Sequence, residues 1–508
     1  MKRIERLRPL LLAAVTVLCA WLCGFSLSTL VERGGEMGRI LGQLFPADLG
    51  YLSKVLPPLL DTLRMSLLGT FAGALMALPL AGLCSGRASG HPCVAAALRG
   101  LIHLLRAIPV LVLALLCSFV WGTGSFAGAF AIALYALGLL ARMGWEAVEH
   151  GDLRPMEALC AAGCGRGRAF WRACLPQVLP GYLSDVLYVL EANVRHAAIL
   201  GYVGAGGLGI LLNEKIAWRE WSRVGTILLL LYGVVFAVET FSSWLRRLLA
   251  GKTHISGAAR RGLWCLGAAA LLWSAVTISP PTVTAGGLTV FRGILTGLLH
   301  PDWSLLWNFS KQGVPYLCLE TLAMTVAGTA IGAVVSVPIA LSGSRNISGP
   351  WRAGVWKLLL LALRTLPAIV TGLLFIRVTG PGSFAGLLTL AVLSVSMCCK
   401  LYIGALDAMD LGAVRAMEAM GCGRLAVLRQ GVWPQAKGPI LSAALYRFDV
   451  NLREAAVLGL VGAGGLGTPL LFAMNGYLWS QAAAYLLGLL VLVLAAGAMA
   501  DRSRRKTM

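Results

Sequence analysis

The sequence predicts an all-α protein that crosses a membrane about twelve times, in two parallel tandem repeats of one six-helix unit. Three observations predict it. Apolar stretches near or above the ~20 residues that span a bilayer as helix recur along the chain. Of its 508 residues, 58% are hydrophobic and only 13% charged, with a mean hydropathy of +0.79, too apolar for a water-soluble globule. Finally, the chain repeats itself with a shift near half its length. Lipid offers no hydrogen bonds, so each span must satisfy its own backbone, and a helix does so.

The expected spans of the first repeat are residues 10–31, 60–83, 100–121, 126–146, 177–203 and 224–247. Those of the second are 263–279, 318–341, 355–377, 384–404, 435–461 and 480–500. The first run follows Lys2, Arg3, Arg6 and Arg8 as a signal peptide would, but Cys23 to Ser28 offers no small-x-small cleavage site, so it reads as an anchor. A net charge of +21 would suggest nucleic acid in a soluble chain. Here the basic residues cluster between apolar segments: the N-terminal four, then Arg246, Arg247, Lys252, Arg260 and Arg261, then Arg502, Arg504, Arg505 and Lys506. By the positive-inside rule these regions, both termini included, face the cytoplasm, and membrane lipid rather than nucleic acid is the partner.

The repeat is explicit. Asn193 to Gly209 reads NVRHAAILGYVGAGGLG and Asn451 to Gly467 reads NLREAAVLGLVGAGGLG, 258 residues apart with 13 of 17 positions identical. The same shift brings Arg106 and Pro109 onto Arg364 and Pro367, and GSFAG at Gly124 onto GSFAG at Gly382. A shift of 259 pairs Asp61 and Thr62 with Glu320 and Thr321, and Gly69 and Gly73 with Gly328 and Gly332, whose small-xxx-small spacing suits close helix packing. Six spans return the chain to its starting side, so the repeats are parallel. The domains are 1–250 as repeat 1, 251–262 as a basic cytoplasmic linker, and 263–508 as repeat 2. The 13 scattered cysteines show no zinc spacing, and the six histidines do not group, so neither a metal nor an embedded enzyme is expected.

Parity places 147–175 and 405–433 in the cytoplasm as moderately polar loops between spans. The first carries Glu157 and Ala158, then Gly163, and leads to Pro176; a glycine permits a turn closed to other residues, and proline suits a first helical turn. This resembles the coupling loop of binding-protein-dependent ABC importer permeases, the motif EAA, three residues, G, nine residues, then I-x-LP, the last met here by Ala173-Cys174-Leu175-Pro176. The second loop keeps Ala416, Gly421 and Pro434, but Arg415 stands where Glu157 does in the first; Glu418 lies too close to Gly421 to replace it. The reversal points to unequal contacts. The segments beyond, LEANVR and FDVNLR each followed by the glycine-rich end, resemble phosphonate-type permeases within the methionine-importer-permease-like fold.

That resemblance implies the fused permease of an ABC importer for phosphonate or a related phosphorus oxyanion such as phosphite or hypophosphite. It also implies a separate ABC ATPase, in two copies and holding ATP and Mg, and a periplasmic or lipid-anchored substrate-binding protein. No cofactor is expected in this chain, which has no GxxxxGK[ST] phosphate loop, and no catalytic residue. The same role for another small ligand such as an amino acid stays open, as does an ion-coupled secondary transporter, against which the paired loops argue.

Glu191 and Arg195, and Asp449 and Arg453, stand four apart on one helical face and are expected to ion-pair. Charge inside a bilayer faces the bundle or a cavity, so Arg195 and Arg453, with Asn193 and Asn451, are candidate substrate-pathway residues. Gly204, Gly206, Gly207 and Gly209, with Gly462, Gly464, Gly465 and Gly467, match GxGxxG by accident, since no strand precedes them. They are read as glycines that bend the helix and let the two halves approach, in a gate or in plain packing.

Overall fold

The computed structural model describes residues 13–251, 256–281 and 285–507. The expected cytoplasmic residues Lys2, Arg3, Arg6, Arg8 and Lys252, and the start of the first expected span at Leu10, lie outside them. The described residues are helices and short connections, with no strand. Seven helices are long and apolar enough to cross a membrane, or ten if each of three bent pairs is one span, against the twelve expected.

Helices α1 (Ala13–Leu22) and α2 (Leu27–Leu44) meet at 71°, dividing the first expected span. Next come α3 (Leu52–Cys84), α4 (Pro92–Ala107), α5 (Val110–Trp121) and α6 (Ser125–His150). The third expected span is broken: α4 and α5 meet at 89°. Pro109 has no N–H to donate, and it drives Ile108 out of the helical region to φ −79°, ψ 123°. In the second repeat, α13 and α14, introduced below, break at 80° for the same reason at Leu366–Pro367.

A short helix α7 (Arg154–Ala161) leads to α8 (Leu175–Leu200), α9 (Leu208–Ala217) and α10 (Trp221–Leu249). The second repeat begins with α11 (Gly257–Thr277), followed by α12 (Val314–Gly343), α13 (Pro350–Thr365), α14 (Ala368–Thr379) and α15 (Ser383–Asp407). It ends with α16 (Gly412–Ala419), α17 (Trp433–Gly459), α18 (Gly467–Asn475) and α19 (Trp479–Thr507). The expected span over 435–461 is helical as α17, but Lys437, Arg447, Asp449, Arg453 and Glu454 leave it outside the apolar candidates.

The chain forms two compact units: Ile40–Arg292, and Met1–Arg39 with Gly293–Met508. The division does not follow the basic segment 251–262, because each repeat's leading helix packs on the other repeat's core. Cys23 at the end of α1 joins Met324, Leu387 and Leu458, and Phe25 sets its ring edge-on to Phe384 at 5.3 Å. In the other unit Trp273 of α11 lies 4.1 Å beneath the Arg64 guanidinium of α3. Two repeats of one fold offer similar receptor surfaces twice, which makes such an exchange inexpensive.

Within each unit one close helix pair forms the core, α3 on α6 and α12 on α15. A Cβ on Gly73 would stand 2.5 Å from the Ala133 carbonyl, and one on Gly332 2.6 Å from that of Ala391, so the small-xxx-small positions serve packing.

Candidate functional site

Both loops fold alike. Asp152 accepts from the Arg154 N–H at 3.0 Å and Asp410 from the Gly412 N–H at 2.9 Å, starting α7 and α16. The Arg154 side chain also donates to Asp152, which holds that carboxyl below its ordinary range. Met156 and Leu153 anchor α7 against Phe170 and Cys174; Val414 anchors α16 against Val427 and Val432. Glu157 and Ala158, and Arg415 and Ala416, therefore face outward and are exposed.

Each helix ends on a glycine in left-handed conformation, Gly163 at φ 86° and Gly421 at φ 75°, with Cys164 N–H returning to the Leu159 carbonyl and Cys422 N–H to that of Met417. One π-helical turn follows in each, Phe170–Cys174 and Val427–Val432, before Pro176 and Pro434 open α8 and α17. Sequence reasoning found the helix, the turn and the prolines; the π turns left no signal in it.

The ion pairs expected from spacing are present. Arg195 Nη1 lies 3.2 Å from Glu191 Oε1, and Arg453 Nη2 lies 2.9 Å from Asp449 Oδ2. The carboxylates differ: the Glu191 side chain is 3% exposed, that of Asp449 18%. Two further contacts were missed. Arg246, assigned by charge clustering to the cytoplasmic edge, brings Nη2 to 3.6 Å from Glu191 Oε2. Buried Arg447 pairs with Glu454 at 2.7 Å; their spacing of seven, two helical turns, was the available signal.

Asn193 and Asn451, expected along a pathway, are instead fully closed to solvent within their own units. The Asn193 amide donates to Thr70 Oγ1 at 2.8 Å; that of Asn451 donates to Thr329 Oγ1 and Ser394 Oγ, each at 2.7 Å. Both tie the arginine-bearing helix to the core pair, which explains a polar residue at a fully buried helix contact.

The glycine-rich ends form two copies of one tight turn. Gly204 and Gly462 carbonyls accept from the Gly124 and Gly382 N–H groups at 3.0 Å. Thr62 Oγ1 accepts from the Leu208 N–H at 2.8 Å and Thr321 Oγ1 from the Leu466 N–H at 3.0 Å. Gly206 and Gly207, like Gly464 and Gly465, have positive φ and leave no room for a Cβ. The close approaches read from the sequence as lying between the halves are therefore found inside each unit, against α3 and α6 or α12 and α15. Gly209 lies in the first turn of α9 and Gly467 begins α18.

Comparisons with known proteins agree with this doubled architecture. The family described as "binding-protein-dependent transport system inner membrane component" matches residues 69–254 and again 328–507. The phosphate-import permease protein PhnE of Mycolicibacterium smegmatis is 29% identical over 94% of this chain and 91% of its own length. The phosphite transport system permease protein PtxC of Stutzerimonas stutzeri is 32% identical over 46% of this chain and 85% of its own. Among solved structures, a chain of the MetNI methionine ABC transporter in an inward-facing conformation is 25% identical over 37% of this chain and 93% of that one, with a TM-score of 0.34.

Proposed function

The chain belongs to the family of binding-protein-dependent transport system inner membrane components, and from that premise we propose that it carries phosphorus oxyanions across the inner membrane, both permease halves being supplied by one polypeptide. It is a multi-pass permease of the ABC transporter class, a transport subunit rather than an enzyme, whose family works with an ATPase and a substrate-binding protein. The observation that carries the cargo class is the likeness over 94% of the chain to a phosphate-import permease, joined by that of a single half to a phosphite permease.

The arginines support it. Arg195 and Arg453 occupy the same place in the two repeats, remain 21% and 26% exposed, and each commits one described contact to its own carboxylate. A guanidinium has five donors in a planar fork, which suits it to the oxygens of a tetrahedral oxyanion once it turns from its carboxylate.

In this reading one ATPase copy docks on each loop, one at Glu157 and the other at Arg415. ATP and Mg reside on those partners, and the loops and both termini face the cytoplasm. A periplasmic or lipid-anchored protein delivers the cargo from outside. Closure of the ATPases on ATP biases the halves between two states, and the difference in cargo affinity between them gives direction. The test is uptake of radiolabelled phosphite, methylphosphonate and phosphate into vesicles holding this chain, its ATPase and its binding protein. Uptake that needs all three proteins and falls in Arg195→Ala/Arg453→Ala supports the reading; complete assembly that moves none of the three compounds discards the cargo class.

A further inference from the structure

We propose that Arg246 is a positioning residue that holds Glu191 while Arg195 turns to the cargo; this rests on the reading of Arg195 as a cargo contact. The Glu191 side chain is 3% exposed, so water does not screen its charge. A buried carboxylate that loses its counter-charge is strongly disfavoured, which on its own would keep Arg195 on Glu191 and away from any passing oxyanion.

The fold supplies a second cation from another helix. Arg195, on α8, takes Glu191 Oε1 at 3.2 Å; Arg246, on α10, faces Oε2 at 3.6 Å. The arginines use different oxygens and do not compete for the same lone pairs. Arg246 also has capacity in reserve: its Nη2 donates to Ser243 Oγ at 3.1 Å, and its Nη1 is buried without a hydrogen-bond partner. At 3.6 Å the contact to Glu191 is longer than a hydrogen bond and has room to shorten as Arg195 leaves. Glu191 then stays neutralised throughout, and Arg195 exchanges one carboxylate oxygen for one oxyanion oxygen. In the other unit Asp449, 18% exposed, keeps contact with solvent, so release of Arg453 strands no fully buried charge.

The experiment measures initial rates of radiolabelled phosphite uptake in vesicles containing the full chain, its ATPase and saturating loaded binding protein. Arg246→Gln is expected to lower uptake by about tenfold or more, since the Glu191–Arg195 pair closes on itself. Arg246→Lys, which keeps the charge, is expected to stay near wild type. Glu191→Gln added to Arg246→Gln removes the buried anion, frees Arg195 and is expected to restore uptake to within about threefold of wild type. A residue that merely packs α10 against α8 would give a loss that the second substitution does not repair. Wild-type uptake in Arg246→Gln, or a loss that Glu191→Gln leaves in place, overturns the proposal. Unchanged uptake in Arg195→Ala instead overturns the cargo-contact reading beneath it.

Discussion

Replacing Gly201 by alanine sets helix propensity against packing. Gly201 has φ −61°, ψ −21°, ordinary helical geometry at the end of α8. Propensity alone favours alanine there by about 0.8–1 kcal/mol. A Cβ at Gly201, however, would stand 2.4 Å from the Ile210 nitrogen and 2.6 Å from the Gly206 oxygen. Both are backbone atoms of a turn pinned through Gly204 to Gly124 and through Leu208 to Thr62. Overpacking costs about 1–3 kcal/mol, and contacts with pinned backbone put it at the upper end, for a net loss of roughly 2 kcal/mol.

Gly459→Ala, facing Gly467 Cα at 2.5 Å, should behave alike. Gly163→Ala is the converse case: φ is 86° and nothing lies within 4 Å, so only backbone strain of about 1–2 kcal/mol arises, confined to the loop. The assay is the thermal unfolding midpoint of the purified chain in detergent, read beside cargo-stimulated ATP hydrolysis in the assembled complex. Gly201→Ala should lower the midpoint; Gly163→Ala, its strain confined to the loop, should lower it less and lose stimulation. An unchanged or raised midpoint in Gly201→Ala would refute the packing argument.

The charge reversal between the loops predicts that Glu157→Arg lowers stimulated ATP hydrolysis more than Arg415→Ala; equal effects would sink the asymmetry. Hydrogen bonds between membrane helices average ~0.6 kcal/mol, so Asn451→Ala, losing two, should destabilise by about 1.2 kcal/mol and Asn193→Ala, losing one, by about 0.6; unfolding in mixed micelles giving the reverse order would contradict this. Asp152, its carboxyl lowered by the Arg154 side chain, contributes above the ordinary carboxylate pKa and loses that contribution only as pH falls through its own lowered value. The ratio of stimulated ATP hydrolysis between Asp152→Asn and wild type should therefore be flat from about pH 5 to 8; convergence near pH 6 would show another group at work.

The repeat, the loops and the i,i+4 ion pairs were legible because each is written locally: identity at a fixed shift, a glycine and a proline at set spacing, charges four apart. The breaks in two spans were not read, although Pro109 and Pro367 interrupt those apolar runs, because length and hydropathy alone describe a straight helix. The exchange of leading helices left no trace, because an apolar run such as α1 or α11 does not state which core it packs on. Asn193 and Asn451 looked like pathway residues for want of a visible partner; Thr70 and Thr329 stand more than a hundred residues away in sequence. Arg246 was hidden likewise, a basic residue among basic residues until the fold brought it to Glu191.

Whether the chain is an ATP-driven permease for phosphorus oxyanions is decided by accumulation of radiolabelled phosphite in sealed vesicles, with ATP and an ionophore as the two variables. An ATP-driven permease gives accumulation that requires ATP, the ATPase and the binding protein, and that persists when the ionophore collapses every ion gradient. Accumulation that survives without ATPase and vanishes with the ionophore would contradict it and make the chain an ion-coupled transporter.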